Sequence, residues 1–258
     1  MPKLTTKPYN KDMLFLIHVP AILTILYTFY AWNIFASVGM LLAACIISPA
    51  IGGITYHRYF THRAFKMSKF GHNALIAVAT LCGQVSIPLW VISHKIHHKL
   101  SDKYGDSHSP KLMGWWNAFF VQWFIWTPPK IYRDTPSNSF RSANHLNPYH
   151  DIAYRTDKVM KFSTDWFVPI NVTFMVILFF LCYPAFVFYC FNCIAILTAF
   201  SLVNTLGHWD DEPTDFGKRF SWITTELGCH KYHHDKPMDY RNPYGDLATV
   251  VIDLIRVK

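Results

Sequence analysis

Charge is what this chain has least of. Only 16% of its 258 residues are Asp, Glu, Lys or Arg, against about 25% in ordinary soluble domains. None of the four falls between Asp12 and Arg58, or between Asp165 and Asp210. Each gap is about twice the roughly 20 residues that cross a bilayer as a helix. The two gaps therefore predict two helical hairpins in a membrane and exclude an ordinary soluble domain. Cysteine chemistry is also thin. The six cysteines sit mostly in apolar stretches, and Cys190 and Cys193 form a C-x-x-C inside a hydrophobic run with no second pair. That excludes a Cys₄ zinc or iron–sulfur site and a disulfide framework, and leaves small core residues in a reducing setting. Nucleic-acid binding is excluded too. The net charge is +8, but no basic helix or stacking aromatic motif accompanies it. The basic residues flank the apolar gaps, where they suit anionic lipid headgroups or an acidic protein partner. No small-residue cleavage site separates the first apolar run from the second, so a retained anchor is expected instead of a signal peptide.

What is abundant is apolar surface and histidine. Apolar residues make up 52% of the chain and aromatics 17%. Spans are expected over 13–30, with Pro20 tolerated inside, and over 34–56, joined by a turn at Trp32-Asn33. Gly52-Gly53 suits close helix packing. A second hairpin is expected over 166–183 and 185–207, turning near Tyr183-Pro184. Of 14 histidines, eight fall in three boxes: His57 with His62, His94 with His97 and His98, and His230 with His233 and His234. On an α-helix His94, His97 and His98 leave one face together. A ninth, His208, lies four residues after Asn204, a same-face pair at the end of the last span.

Nine imidazoles are too many for a closed structural zinc site. They suffice for two metals at four and five ligands, with Asn204 able to hold a water on one of them. Imidazole suits iron, copper, zinc or nickel alike. The boxes must share one side of the membrane, which fixes the uncharged stretch 70–92 as a buried or interfacial segment that does not span. The aromatic-rich run Leu112–Trp126 is read the same way, as a headgroup-level helix. Nearly every Lys and Arg falls on the side of the boxes, so the positive-inside rule puts them in the cytoplasm. His18, His72, His145 and His150 are left outside the centre, and His108 stands beside the second box.

The order H-R-Y-F-T-H-R (57–63), H-K-I-H-H-K (94–99), N-T-L-G-H-W (204–209) and H-K-Y-H-H (230–234) resembles the membrane fatty-acyl desaturase family, in particular its Δ9-type branch. The resemblance extends over nearly the whole chain, including Tyr104-Gly105-Asp106-Ser107-His108, where the family often has Asp-Pro-His. It implies an all-α membrane protein: four transmembrane helices in two hairpins under a cytosolic histidine-rich helical cap (57–165 and 208–258), one domain over 1–258. It implies that His57, His62, His94, His97, His98, His208, His230, His233 and His234 hold two iron ions (Fe2+/Fe3+). Asn204 would position a water beside one of them, with Asp106, His108 and Glu226 as supporting groups. The implied reaction is O₂-dependent insertion of a cis double bond into a fatty-acyl chain linked to CoA, a carrier protein or a lipid. An unactivated C–H bond gives acid–base catalysis no handle, so a metal must carry the hard step. With no haem module in the sequence, electrons are expected from an external donor such as cytochrome b5 or ferredoxin. The implied location is the endoplasmic reticulum or a bacterial inner membrane.

Four departures stand out. Glu226 in Thr225-Glu226-Leu227-Gly228-Cys229-His230 is one place earlier than the family's usual Glu, and Lys231 replaces its Asn. Ile92-Ser93 and Ile125-Trp126 stand where acyl-CoA desaturases of animals carry Arg-Asp and Arg-Lys. Lys130, Arg133 and Arg141 are the remaining candidates for a headgroup contact. A hydroxylase or ketolase on the same scaffold uses the same ligands. A non-catalytic metal-binding membrane protein is the reading from another class, but it needs polar residues lining the spans, which the two charge-free gaps do not supply.

Overall fold

The computed structural model describes residues 11–103, 106, 108–124, 152–210 and 212–257. Among the described residues every regular element is helical and no strand occurs. Lys130, Arg133, Arg141, His145 and His150 lie outside the described residues, as do Tyr104, Gly105 and Ser107.

The first hairpin pairs α1 (Leu14–Ala31) with α2 (Ile34–Thr61). Its turn is the expected one. Trp32 leaves the helix in extended conformation, and Asn33 caps α2 by accepting a hydrogen bond from Phe35 N at 2.8 Å. The charge-free stretch 70–92 forms α3 (Lys69–Leu81) and α4 (Ile87–Leu100). An aromatic-rich helix, α5 (Trp115–Phe124), follows and is too short to span.

The second hairpin differs from expectation. The segment expected as a span over 166–183 is α7 (Phe167–Leu181), only 15 residues long. It follows the amphipathic α6 (Lys158–Asp165) after a bend of 73° at Trp166. The Lys and Asp residues of α6 belong at the water boundary, so the apolar run turns there. The turn to α8 (Tyr183–Leu206) sits at Cys182, just before the expected Tyr183-Pro184. Pro184 falls in the first helical turn, where its missing N–H costs nothing. Among the described residues there are thus three helices long and apolar enough to cross a membrane, or four if the bent α6–α7 pair is one span. It is an integral membrane protein by these helices. Helix α8 is the axis: in its apolar 18-residue stretch 78% of the residues are buried, against 22% and 28% in the corresponding stretches of α1 and α2. Gly52 lets α2 approach it, since a Cβ there would lie 2.6 Å from the Phe200 ring.

The α3–α4 pair doubles back toward the end of α2. His57 near the end of α2 and His94 on α4 have ring centroids 4.7 Å apart, so both ends of the pair return to one level. Irregular backbone buried among spans is stable only if its polar groups are paired. Around the break they are. The Tyr56 hydroxyl of α2 shares its one proton between the Ala79 and Val85 carbonyls at 2.7 and 2.8 Å, and His18 of α1 donates to the Gly83 carbonyl at 2.8 Å. Asn171 of α7 donates to Thr80 O at 3.1 Å and itself accepts from Tyr189 of α8. Side chains from four helices thereby fix the loop from which α4 carries its histidines.

Candidate metal centre

The first box owes its geometry to a change of winding. Five residues of α-helix leave His57 and His62 about 140° apart. Residues Gly53–Thr61 are instead wound as a π-helix, in which i→i+5 bonds stack positions five apart. His62 N donates to the His57 carbonyl at 3.1 Å, and the Thr61 hydroxyl donates to Tyr56 O at 2.8 Å. Pro49, which has no N–H, and Gly52-Gly53 loosen the ladder just before this segment. The two rings end 4.9 Å apart. The second box lies on α4 as expected. The third lies wholly on α10 (His230–Asp235), which follows α9 (Lys218–Thr224). His208 is not on α8 with Asn204. The helix ends at Leu206 and His208 sits in the following turn, while Asn204 is buried on the last turn of α8. Gly207 is needed between them, because a Cβ there would lie 2.5 Å from His230 Cδ2.

All nine histidines of the boxes and the N-x-x-x-H pair come together, in two groups. His57, His62, His94, His98 and His233 form one, and His97, His208, His230 and His234 the other, with the donor atoms of each group within 4.8 Å of one another. Their Nε2 atoms converge: His57 to His233 at 2.8 Å, His233 to His98 at 2.9 Å, His98 to His94 at 3.1 Å, and His230 to His208 at 2.9 Å. A neutral Nε2 carries either a proton or a lone pair, so one chain of three such contacts cannot be three straight hydrogen bonds. The spacing fits a shared cation. Donors at about 2.1 Å from one ion and at right angles to each other are about 3.0 Å apart. Among the described residues, Nε2 of His62, His97 and His234 is buried without a hydrogen-bond partner, as lone pairs meant for an ion would be. Burial first, then neighbouring imidazoles, holds His62, His94, His97, His98, His230, His233 and His234 below the usual pKa, His98 at about 3. Neutral imidazole is the form that ligates.

Carboxylates set the rings from behind. The Asp106 carboxylate accepts from His97 Nδ1 at 2.9 and 3.0 Å, and Asp102 accepts from His208 Nδ1 at 2.6 Å. Glu226 Oε1 lies 3.0 Å from His57 Nδ1, off the line of a straight hydrogen bond. The two aspartates fix the tautomers of His97 and His208 and leave Nε2 as the inward donor. Burial raises the Asp106 carboxyl above its ordinary range. Burial also acts upward on Glu226, but the Arg58 guanidinium and then His57 outweigh it and hold the carboxyl at about 2. His108 stacks on His97 with centroids 4.3 Å apart, and joins Asp106 and His97 as a third cluster. His72 stays outside the centre, between the Tyr59 hydroxyl and Asp157. Asp102, Arg58 and Asp246 are functional neighbours that sequence reasoning missed. Asp102, four residues past His98, carries only proximity as a signal, and Asp246 carries none.

Below the centre the bundle is apolar. Trp90 stacks on His94 with centroids 4.6 Å apart, and Phe200 of α8 lies 5.1 Å from Trp90.

Comparison with known proteins agrees with this geometry. The family described as "Fatty acid desaturase" matches residues 31–253. Among curated relatives, the sn-1 stearoyl-lipid 9-desaturase of Synechocystis sp. is 26% identical over 84% of this chain and 66% of its own length. The sn-1 stearoyl-lipid 9-desaturase of Anabaena variabilis is 27% identical over 98% of this chain and 93% of its own. Acyl-CoA desaturase 1 of Tachysurus fulvidraco is 28% identical over 86% of this chain and 70% of its own. With most of its length matched, the chain belongs to the fatty acid desaturase family and is an oxidoreductase of that membrane class.

Proposed function

We propose that the protein inserts a cis double bond, at the Δ9 position, into a fatty-acyl chain at a di-iron centre held by its nine clustered histidines. The observation that carries the reading is the division of those nine imidazoles into a group of five and a group of four with inward-facing nitrogens. His57, His62, His94, His98 and His233 would hold one iron, and His97, His208, His230 and His234 the other. Asn204 would place a water beside one of them. When bound, such a pair supplies the two-electron reduction of O₂ and the removal of hydrogen from adjacent methylenes.

The chain's own residues do the rest. Asp106, Asp102 and Glu226 hold His97, His208 and His57 in register, which keeps the donors preorganised between turnovers. Trp90 and Phe200 keep water from the bilayer side of the centre and give an acyl chain an apolar approach. The α3–α4 pair, read as buried or interfacial without spanning, fixes the depth at which the chain meets the histidines. Four spans in two hairpins put both termini and the boxes in the cytoplasm, where the basic face receives an acidic electron donor such as cytochrome b5 or ferredoxin. The two stearoyl-lipid 9-desaturases among the relatives support the Δ9 assignment.

The test is the lipid profile of cells expressing the full chain, read by mass spectrometry with double-bond localisation. New Δ9-monounsaturated acyl chains, absent with His97→Ala, are expected. A hydroxylated chain without unsaturation would replace the reading with a hydroxylase. Tight zinc and no oxygen-dependent product would replace it with a non-catalytic metal carrier.

A further inference from the structure

The group of five histidines is tied to the last helix of the fold. Arg58 follows His57 directly and is buried, with 4% of its surface exposed. Its guanidinium donates from Nε to Glu226 Oε1 at 3.1 Å, and from the two terminal nitrogens to both oxygens of Asp246 at 3.2 and 2.5 Å. Asp246 is fully buried and caps α11 (Leu247–Ile255) by accepting from Thr249 N. It also accepts from Asn242 Nδ2 at 3.0 Å, and that same amide donates to the Thr225 carbonyl beside Glu226. A chain of buried polar groups thus runs from the start of α11 through Arg58 and Glu226 to His57 Nδ1.

Among the described residues the group of four histidines has no such link. Its carboxylates, Asp102 and Asp106, belong to the segment that follows α4.

From this connectivity we infer that Asp246 is a positioning residue for the five-histidine metal subsite: by clamping Arg58 it fixes Glu226 against His57, and it leaves the four-histidine subsite untouched. The physical argument is geometric. Glu226 has rotamers to choose among, and a planar guanidinium held bidentately by Asp246 leaves one edge, Nε, to receive it. Without Asp246 the guanidinium swings, Glu226 follows it, and the His57 ring loses the contact that orients it. The inference rests on the nine histidines being metal ligands.

Asp246→Asn is the suitable variant because Asn caps a helix as well as Asp does. It keeps the helix start while removing the carboxylate that Arg58 grips. Should it fail to fold, Arg58→Met/Asp246→Asn removes both buried charges together and tests the same clamp. The experiment titrates Fe2+ into the purified apo full chain in detergent and counts bound iron per chain by mass spectrometry. Wild type is expected to fill both subsites. Asp246→Asn is expected to weaken one of them by about 10–100-fold, the effect of losing an outer partner of a metal-ligating His.

The subsite is identified by combination. In a His234→Ala background, where the four-histidine group is broken, Asp246→Asn should remove the remaining tight site. In a His62→Ala background, where the five-histidine group is already broken, it should change nothing further. An equal loss in both backgrounds would show general destabilisation and overturn the inference, as would two unweakened sites in Asp246→Asn. No iron bound by wild type would instead overturn the metal reading beneath it.

Discussion

Asp106→Asn asks how much of the centre's affinity comes from a carboxylate set behind the His97 ring. Each oxygen of Asp106 accepts a backbone N–H, Oδ1 from His108 at 3.1 Å and Oδ2 from Asp102 at 2.9 Å, and His97 Nδ1 lies between them. The side chain has 1% of its surface exposed, so water cannot substitute. An amide is nearly the same shape, but either of its orientations turns an NH₂ group against a backbone N–H. One hydrogen bond is lost with the charge, and the His97 ring loses its orienting partner. A charge-assisted hydrogen bond is worth about 1.5–3 kcal/mol, which corresponds to about ten- to hundredfold in metal affinity. The assay is Fe2+ titration of the apo chain in a His62→Ala background, so that the four-histidine group containing His97 is read alone. Unchanged affinity there would refute the role given to Asp106. So would an equal loss in a His234→Ala background, where His97's own group is already broken.

Acid should destabilise the apo protein from one side. Seven imidazoles of the centre are held below their ordinary range, and unfolded histidine titrates near about 6.5. The unfolded chain therefore takes up protons that the fold refuses, so stability is full above that pH and falls below it, by about 1.4 kcal/mol per pH unit for each such group. Denaturation in detergent at pH 7.5 and 5.5 checks this, and equal midpoints would refute it. Glu226, held at about 2 by Arg58 and His57 against its burial, adds stability that is present above its unfolded pKa of about 4.3 and lost toward 2. Gly207→Ala should push His208 and His230 apart and cost about 100-fold in turnover, the scale of a 1 Å misplacement. Near-normal turnover would show that the turn yields. Asn171→Leu leaves the Thr80 carbonyl and the Tyr189 hydroxyl without their partner inside the bundle. A loss of about 1–3 kcal/mol is expected, read as a lower melting temperature, and an unchanged one would refute the staple.

Histidine spacing made the centre legible because imidazoles must share a level to share a metal. From that, the uncharged stretch 70–92 reads as a buried or interfacial segment that does not span, and the structure returns His94 to His57. The π-winding of Gly53–Thr61 was not legible, since Pro49 and Gly52-Gly53 permit a loosened ladder without specifying its pitch. The bend at Trp166 was hidden by hydropathy, which counts apolar residues and not where Lys158, Lys161 and Asp165 anchor a helix at the water boundary. The carboxylates divide the same way. Asp106 and Glu226 stand next to boxes and were visible candidates. Asp102 acts on His208, 106 residues away in sequence, and Asp246 acts through Arg58 across 188. Contacts of that range leave no local pattern.

The most direct test of the account is the iron content of the purified full chain, loaded anaerobically and quantified against protein. Two irons per chain are predicted, one for each histidine group, falling to one when either His62 or His234 is replaced by alanine. A single iron that survives both substitutions, or none in the unaltered chain, would contradict it.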